Sequence, residues 1–176
     1  MARIYWQRDS FAFIARLVPG TTTMLFAVLS LLPFQLPGFG AIAPSFAVMA
    51  VYHWTLYRPD LLPLGVIFLA GVFLDLLNGS PYVGLSALVL LIMRSAVLAQ
   101  RRPLVERGFP VIWLGFFVAA IGVFAFEWGF VSLLQMRALG LRPFIFQALV
   151  TTACYPIGSY LLALAHRAVP SLGDAR

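Results

Sequence analysis

Three ionisable side chains, Asp75, Arg94 and Glu127, stand inside stretches that are otherwise apolar. A charge in such surroundings is costly, so each marks either a contact with a ligand or partner or a specific structural bond. The usual catalytic constellations do not accompany them. The sequence offers no Ser-His-Asp or Cys-His set, no metal-ligand cluster and no carboxylate pair at catalytic spacing. His53 and His166 are the only histidines, and neither has a Cys or carboxylate at metal-ligand spacing, so packing near a membrane interface accounts for both. Gly79 and Gly84 follow a predicted helix, the reverse of the strand-loop-helix order that phosphate binding needs. The single cysteine, Cys154, lies in an apolar run and supports neither a disulfide framework nor a zinc site. An enzyme would lack its convergent acid, base and nucleophile; no catalytic, cofactor or metal site is expected.

Each of the three charges falls on a predicted helix. Asp75 is about one turn from the end of the run Leu61 to Leu77, where it could cap or close the following turn, pair with a partner protein, or bind a ligand. Arg94 is about two turns from a helix end, within reach of the interface by snorkelling. Glu127 is about two turns inside its run, too deep for a carboxylate to snorkel, and is the best candidate for a buried polar contact.

Composition says what those helices are. Of 176 residues, 62% are hydrophobic and 10% charged, against about a quarter charged in soluble domains. A water-soluble core of this size could not hide so many phenylalanines and leucines. The apolar runs predict an all-α integral membrane protein with six transmembrane helices, at about 17–36, 44–57, 61–77, 83–100, 111–134 and 143–165. A basic amphipathic leader, 1–16, precedes them, and a short tail, 166–176, follows. Pro59 in Arg58-Pro59-Asp60 breaks the helix before it, Arg101-Arg102-Pro103 ends the fourth, and Pro143 opens the sixth. Gly65, Gly71, Gly115 and Gly122 permit close packing of helices. The leader, the first run and Ala41-Ile42-Ala43 mimic a cleavable signal, but Pro44 directly after that site should block cleavage.

The net charge of +6 comes from twelve basic residues, all arginine, against six acidic ones. In a soluble protein this balance would suggest nucleic acid; here topology explains it, and no nucleic acid is expected. Six crossings put both termini on one side, together with Arg3, Arg8, Arg16, Arg58, Arg101, Arg102, Arg107, Arg167 and Arg176, leaving Arg137 and Arg142 for the opposite loops. Both termini are therefore predicted cytoplasmic. Gln35, Asp75, Asn78, Glu127, Gln135 and Gln147 then share the outer half, lining an outward-facing pocket or marking helix ends.

The segment Arg58-Pro59-Asp60-x-x-Pro63, followed by Phe68, Gly71, Asp75, Gly79-Ser80-Pro81 and Gly84-x-x-Ala87-Leu88, resembles MreD, the rod shape-determining membrane protein family of bacteria. The six-crossing plan, the short tails and the arginine-rich connector after the fourth crossing extend the resemblance over essentially the whole chain. One departure stands out: the family pattern has a single residue between proline and glycine at the outer corner, whereas Tyr82 and Val83 separate Pro81 from Gly84 here. The resemblance implies a compact bundle similar to the substrate-binding components of energy-coupling-factor transporters, placed in the inner membrane without a cofactor. It also implies a non-enzymatic scaffold for peptidoglycan synthesis, with MreC as partner and MreB, RodA and the elongation transpeptidase in the larger complex. Arg58, Pro59 and Asp60 would shape the cytoplasmic corner, and Asp75, Gly79 and Pro81 the outer one.

Two functions from different classes follow: a scaffold for cell elongation, or a small-molecule binding component of a transporter. Glu127 and Asp75 discriminate between them. If both line one cavity, ligand binding gains; if Glu127 packs against a neighbouring helix, scaffolding gains. Arg58 and Asp60 either face a cytoplasmic partner or pair with each other.

Overall fold

The computed structural model describes residues 17–31, 34–36 and 40–167. The leader expected over 1–16 and the tail from 168 onward lie outside them. The described chain forms α1 Leu17–Leu29, strands β1 Phe34–Leu36 and β2 Gly40–Ile42, α2 Phe46–Tyr57, a 3-10 turn Pro59–Leu61, α3 Leu64–Leu77, α4 Leu85–Val105, α5 Phe109–Leu134 and α6 Arg142–Arg167. The architecture is helical except for one small antiparallel hairpin.

α2 is the axis of the bundle. Residues Ala47 to Leu56 are buried without interruption, and the helix packs on both α4 and α6. Its sequence, FAVMAVYHWTLY, is apolar on almost every face, as a helix enclosed on all sides must be. A few polar bonds hold it in register. The Trp54 indole donates to Thr22 Oγ1 at 2.9 Å and the Tyr52 hydroxyl to the Ile112 carbonyl at 2.9 Å. At its start, the Ser45 N–H donates to Thr151 Oγ1 at 3.0 Å and the Ala47 N–H to Ser30 Oγ at 3.1 Å, supplying partners that the opening of a helix otherwise lacks.

Around this axis α3 lies on α4, and α5 lies on both α4 and α6. α5 and α6 turn apolar stripes outward: Leu114, Val118 and Ile121 on one, Ile157, Leu161 and Leu164 on the other are exposed. The spacing of three and four residues places each set on one face. These two helices, at 26 residues each, are long and apolar enough to cross a membrane, whereas α1, as far as it is described, and α3 are apolar but shorter.

Several expected boundaries shift. The first run ends at Leu29, not 36: the Ser30 and Leu31 N–H groups bond to the carbonyls of Phe26, Ala27 and Val28, and Phe34–Leu36 pairs with Gly40–Ile42. Pro33 and Pro37 disfavour helix in the residues before them, which explains the early stop. α3 begins at Leu64 because Pro59–Leu61 winds into a 3-10 turn and Pro63 takes the N-cap position with an extended backbone. α4 is not ended by Arg101-Arg102-Pro103; Pro103 sits near its C-terminus and the helix continues to Val105. Arg101 ties that segment to the end of α2, its Nε donating to the Leu56 carbonyl at 2.7 Å and Nη2 to the Tyr57 carbonyl at 3.3 Å. Those carbonyls have lost their intrahelical donors, so a cation suits them.

The glycines divide. A Cβ on Gly71 would lie 2.2 Å from Ala87 Cα, and one on Gly115 would lie 2.6 Å from Leu104 Cδ2, so both permit the close approach expected of them. Gly65 and Gly122 have nothing within 4 Å of that position and are not packing glycines. Gly158, against Met49 Sδ at 2.9 Å, takes that role without having been singled out.

Candidate functional site

The corner between α3 and α4 is built on Asp75. α3 closes with a Schellman motif: the Ser80 N–H bonds to the Asp75 carbonyl at 2.9 Å and the Gly79 N–H to the Leu76 carbonyl at 3.3 Å. Gly79 has φ +61°, the left-handed conformation this motif requires. The Asp75 side chain then reaches across to the next helix. Its carboxylate accepts the Gly84 N–H at 2.6 Å and the Ser86 N–H at 3.1 and 3.2 Å. Gly84, at φ +100°, is the N-cap residue of α4 and has no side chain with which to cap it. Asp75 therefore caps α4 from a distance, and its charge complements the positive end of the helix dipole. It is only 2% exposed, which leaves little of it for a ligand. Pro81 is exposed, and the two residues between it and Gly84 are accommodated by a turn in which the Leu85 N–H bonds to the Tyr82 carbonyl at 3.3 Å.

At the opposite end of α3, Arg94 does for the other corner what Asp75 does here. It donates from Nη1 to the Leu62 carbonyl and from Nη2 to the Pro59 carbonyl at 3.4 Å, tying the 3-10 turn to α4. The guanidinium thus ends on protein carbonyls. Arg58 is half-buried and Asp60 exposed. Among the described residues no ion pair joins them; a surface pair of this kind would contribute little in any case.

The polar residues expected in the outer half do not all converge. Asn78, Glu127 and Gln147 line a cavity of about 320 Å³, joined by Ser30, Ser45 and Ser86. Its lining draws on the ends of α1, α3 and α5 and the beginnings of α2, α4 and α6, so six helix ends meet at one end of the bundle. Among the described residues no hydrogen bond or ion pair engages Glu127 or the side-chain amides of Asn78 and Gln147. Gln135 lies outside as the exposed C-cap residue of α5, and the side chain of Gln35 lies outside the described residues. The test set by the sequence thus divides: Glu127 lines the cavity, and Asp75 stands behind Ser86, engaged in capping.

Ser30, Ser45 and Ser86 escaped the sequence reading because serines beside helix ends look like ordinary caps and turn residues. Their convergence depends on how the helices pack. At the other end of the bundle a groove of about 620 Å³ is lined by His53, His166, Tyr57, Tyr155 and Tyr160 among others. Here the Trp54 and His166 rings stack at 5.5 Å. The two histidines are packed among aromatic rings, and His53 is inside the core, 3% exposed. Among the described residues no group of three or more His, Cys, Asp or Glu side chains could hold a metal ion. No protein-family model, curated protein or solved structure matches the chain.

Proposed function

We propose that the chain is an MreD-like scaffold of bacterial cell elongation: an inner-membrane protein of six crossings, both termini cytoplasmic, that binds MreC and helps position peptidoglycan synthesis. The observation that carries this reading is the use made of the motif residues. Pro59 and Pro63 set the corner at one end of α3, and Asp75, Gly79 and Gly84 set the corner at the other. Gly71 allows α3 to lie against the backbone of α4 between them. A motif spent on fixing one helix rigidly against its neighbour suits a protein whose task is to present a surface. No reaction or cofactor enters this reading.

The six-crossing plan is supported by the meeting of alternate helix ends around one cavity, as antiparallel crossings require, and by Arg58 and Arg101 at the opposite end. α2 and α3 fall short of the ~20 residues of a full span. α2 is sheltered by protein, and the hairpin and 3-10 turn lengthen the path of the chain. The test is complementation. In a rod-shaped bacterium depleted of its own MreD, the chain should restore rods, and MreC should co-purify with it in mild detergent. Spherical cells, with the chain inserted at normal levels and no MreC recovered, would overturn the reading.

The cavity favours a second reading, a small-molecule binding component with an outward-facing polar pocket. Its volume of about 320 Å³ is at the lower end of the range for ligand sites. A ligand carried through purification and detected by native mass spectrometry would support this reading.

A further inference from the structure

We propose that the cavity receives a cationic nitrogen group, an ammonium or guanidinium, from outside the chain, with Glu127 as its counter-ion. The inference rests on the second reading, that the cavity binds a small molecule, and adds the chemistry of what it binds. Glu127 lines the cavity with two amides, Asn78 and Gln147, and with Ser30, Ser45 and Ser86. These groups offer one carboxylate and several neutral acceptors around it, the set that a hydrogen-bond-donating cation needs.

Among the described residues no cation pairs with Glu127. On the expected topology only Arg137 and Arg142 belong to this end of the bundle, and both are exposed and form no ion pair with Glu127. The connection between α1 and α2, residues 30–45, contains no basic residue at all. Asp75, the acid at the α3–α4 corner, is already satisfied by the N–H groups of Gly84 and Ser86. A half-buried carboxylate with no partner among the described residues is unfavourable, and the field of a second carboxylate behind Ser86 adds to the attraction for a positive group. The small volume suits the head of such a molecule more than an extended ligand.

Thermal unfolding of the purified full chain in an uncharged detergent tests this with methylguanidinium, agmatine and the uncharged isostere N-methylurea as probes. The two cations should raise the midpoint of wild type and N-methylurea should not. Glu127→Gln, which keeps the shape but replaces one acceptor oxygen and the charge with a neutral NH₂ group, should weaken the cations' apparent affinity roughly thirty-fold or more. Without probe, this variant should unfold at or above the wild-type midpoint, because it removes an unpaired charge. A lowered midpoint would reveal an internal partner for Glu127 and overturn the proposal.

Nanodiscs with and without phosphatidylethanolamine distinguish the source of the cation. Stabilisation by that lipid alone, lost in Glu127→Gln, assigns a headgroup ammonium; stabilisation by the free probes alone assigns a solute. If N-methylurea stabilises as well as methylguanidinium, independently of Glu127 but dependent on Gln147, the cavity binds neutral molecules: the binding reading stands and the cation does not. If none of the probes and neither nanodisc shifts the midpoint, both fall.

Discussion

Replacing Asp75 with alanine removes the acceptor for two backbone N–H groups, those of Gly84 and Ser86, at the start of a helix whose N-cap residue is glycine. Hydrogen bonds to a charged group contribute about 1.5–3 kcal/mol each, and partial rescue by water at the corner brings the expected loss to about 2–5 kcal/mol. In a chain of this size about 1 kcal/mol moves the midpoint by 2–4 °C, so Asp75→Ala should unfold roughly 5–20 °C below wild type. Asp75→Asn keeps one acceptor oxygen but turns an NH₂ group toward two donors, so its loss should be intermediate. The assay is thermal unfolding of each variant in the same mild detergent, followed by the fraction that remains monodisperse after heating. A midpoint for Asp75→Ala within about 1 °C of wild type, accompanied by loss of MreC recovery, would refute the capping role and make Asp75 a residue of the interaction surface.

Two further outcomes follow from the same contacts. Gly71→Ala places a methyl group against the Ala87 backbone and should cost at least 1–3 kcal/mol, by the usual scale of ~1–3 kcal/mol for overpacking. Gly122→Ala meets open space and should be neutral or stabilising by up to about 1 kcal/mol through helix propensity. Equal midpoints for the two variants would contradict the α3–α4 contact. Arg94→Leu strips the donors from the Pro59 and Leu62 carbonyls and should speed hydrogen exchange of the Leu61 and Leu62 amides, with Arg94→Lys only partly restoring protection. Unchanged exchange would mean that the 3-10 turn holds itself.

The helices were legible because the apolar runs are long and prolines mark several of their limits; Pro59 acts where the sequence places it, whereas Pro63, read as lying inside the third run, takes its N-cap. The length of α1 was not legible, since PFQLPGFG is apolar enough to read as helix, and only pairing with the following strand settles its shape. Pro103 misled for a different reason. A proline near a helix terminus removes few bonds, and Arg101 more than holds the segment by its bonds to the end of α2. At the site, a carboxylate near a glycine-rich turn left capping, pairing and ligand binding all open, because the choice depends on where the next helix begins in space. Gly122 and Gly71 are alike in sequence, and only the distance to the neighbouring helix separates them.

The enclosure of α2 has a bearing on how the chain is made. At 12 residues it is about 18 Å long, well short of the hydrocarbon core. Almost none of its surface meets anything but protein, so the bilayer offers it no face of its own. Two of the walls that shelter α2, the helices α4 and α6, are synthesised after it. During synthesis the centre of the bundle is thus the piece that waits longest for its surroundings. The arrival of α6 brings Thr151 to the start of α2 and His166 onto Trp54 near its end.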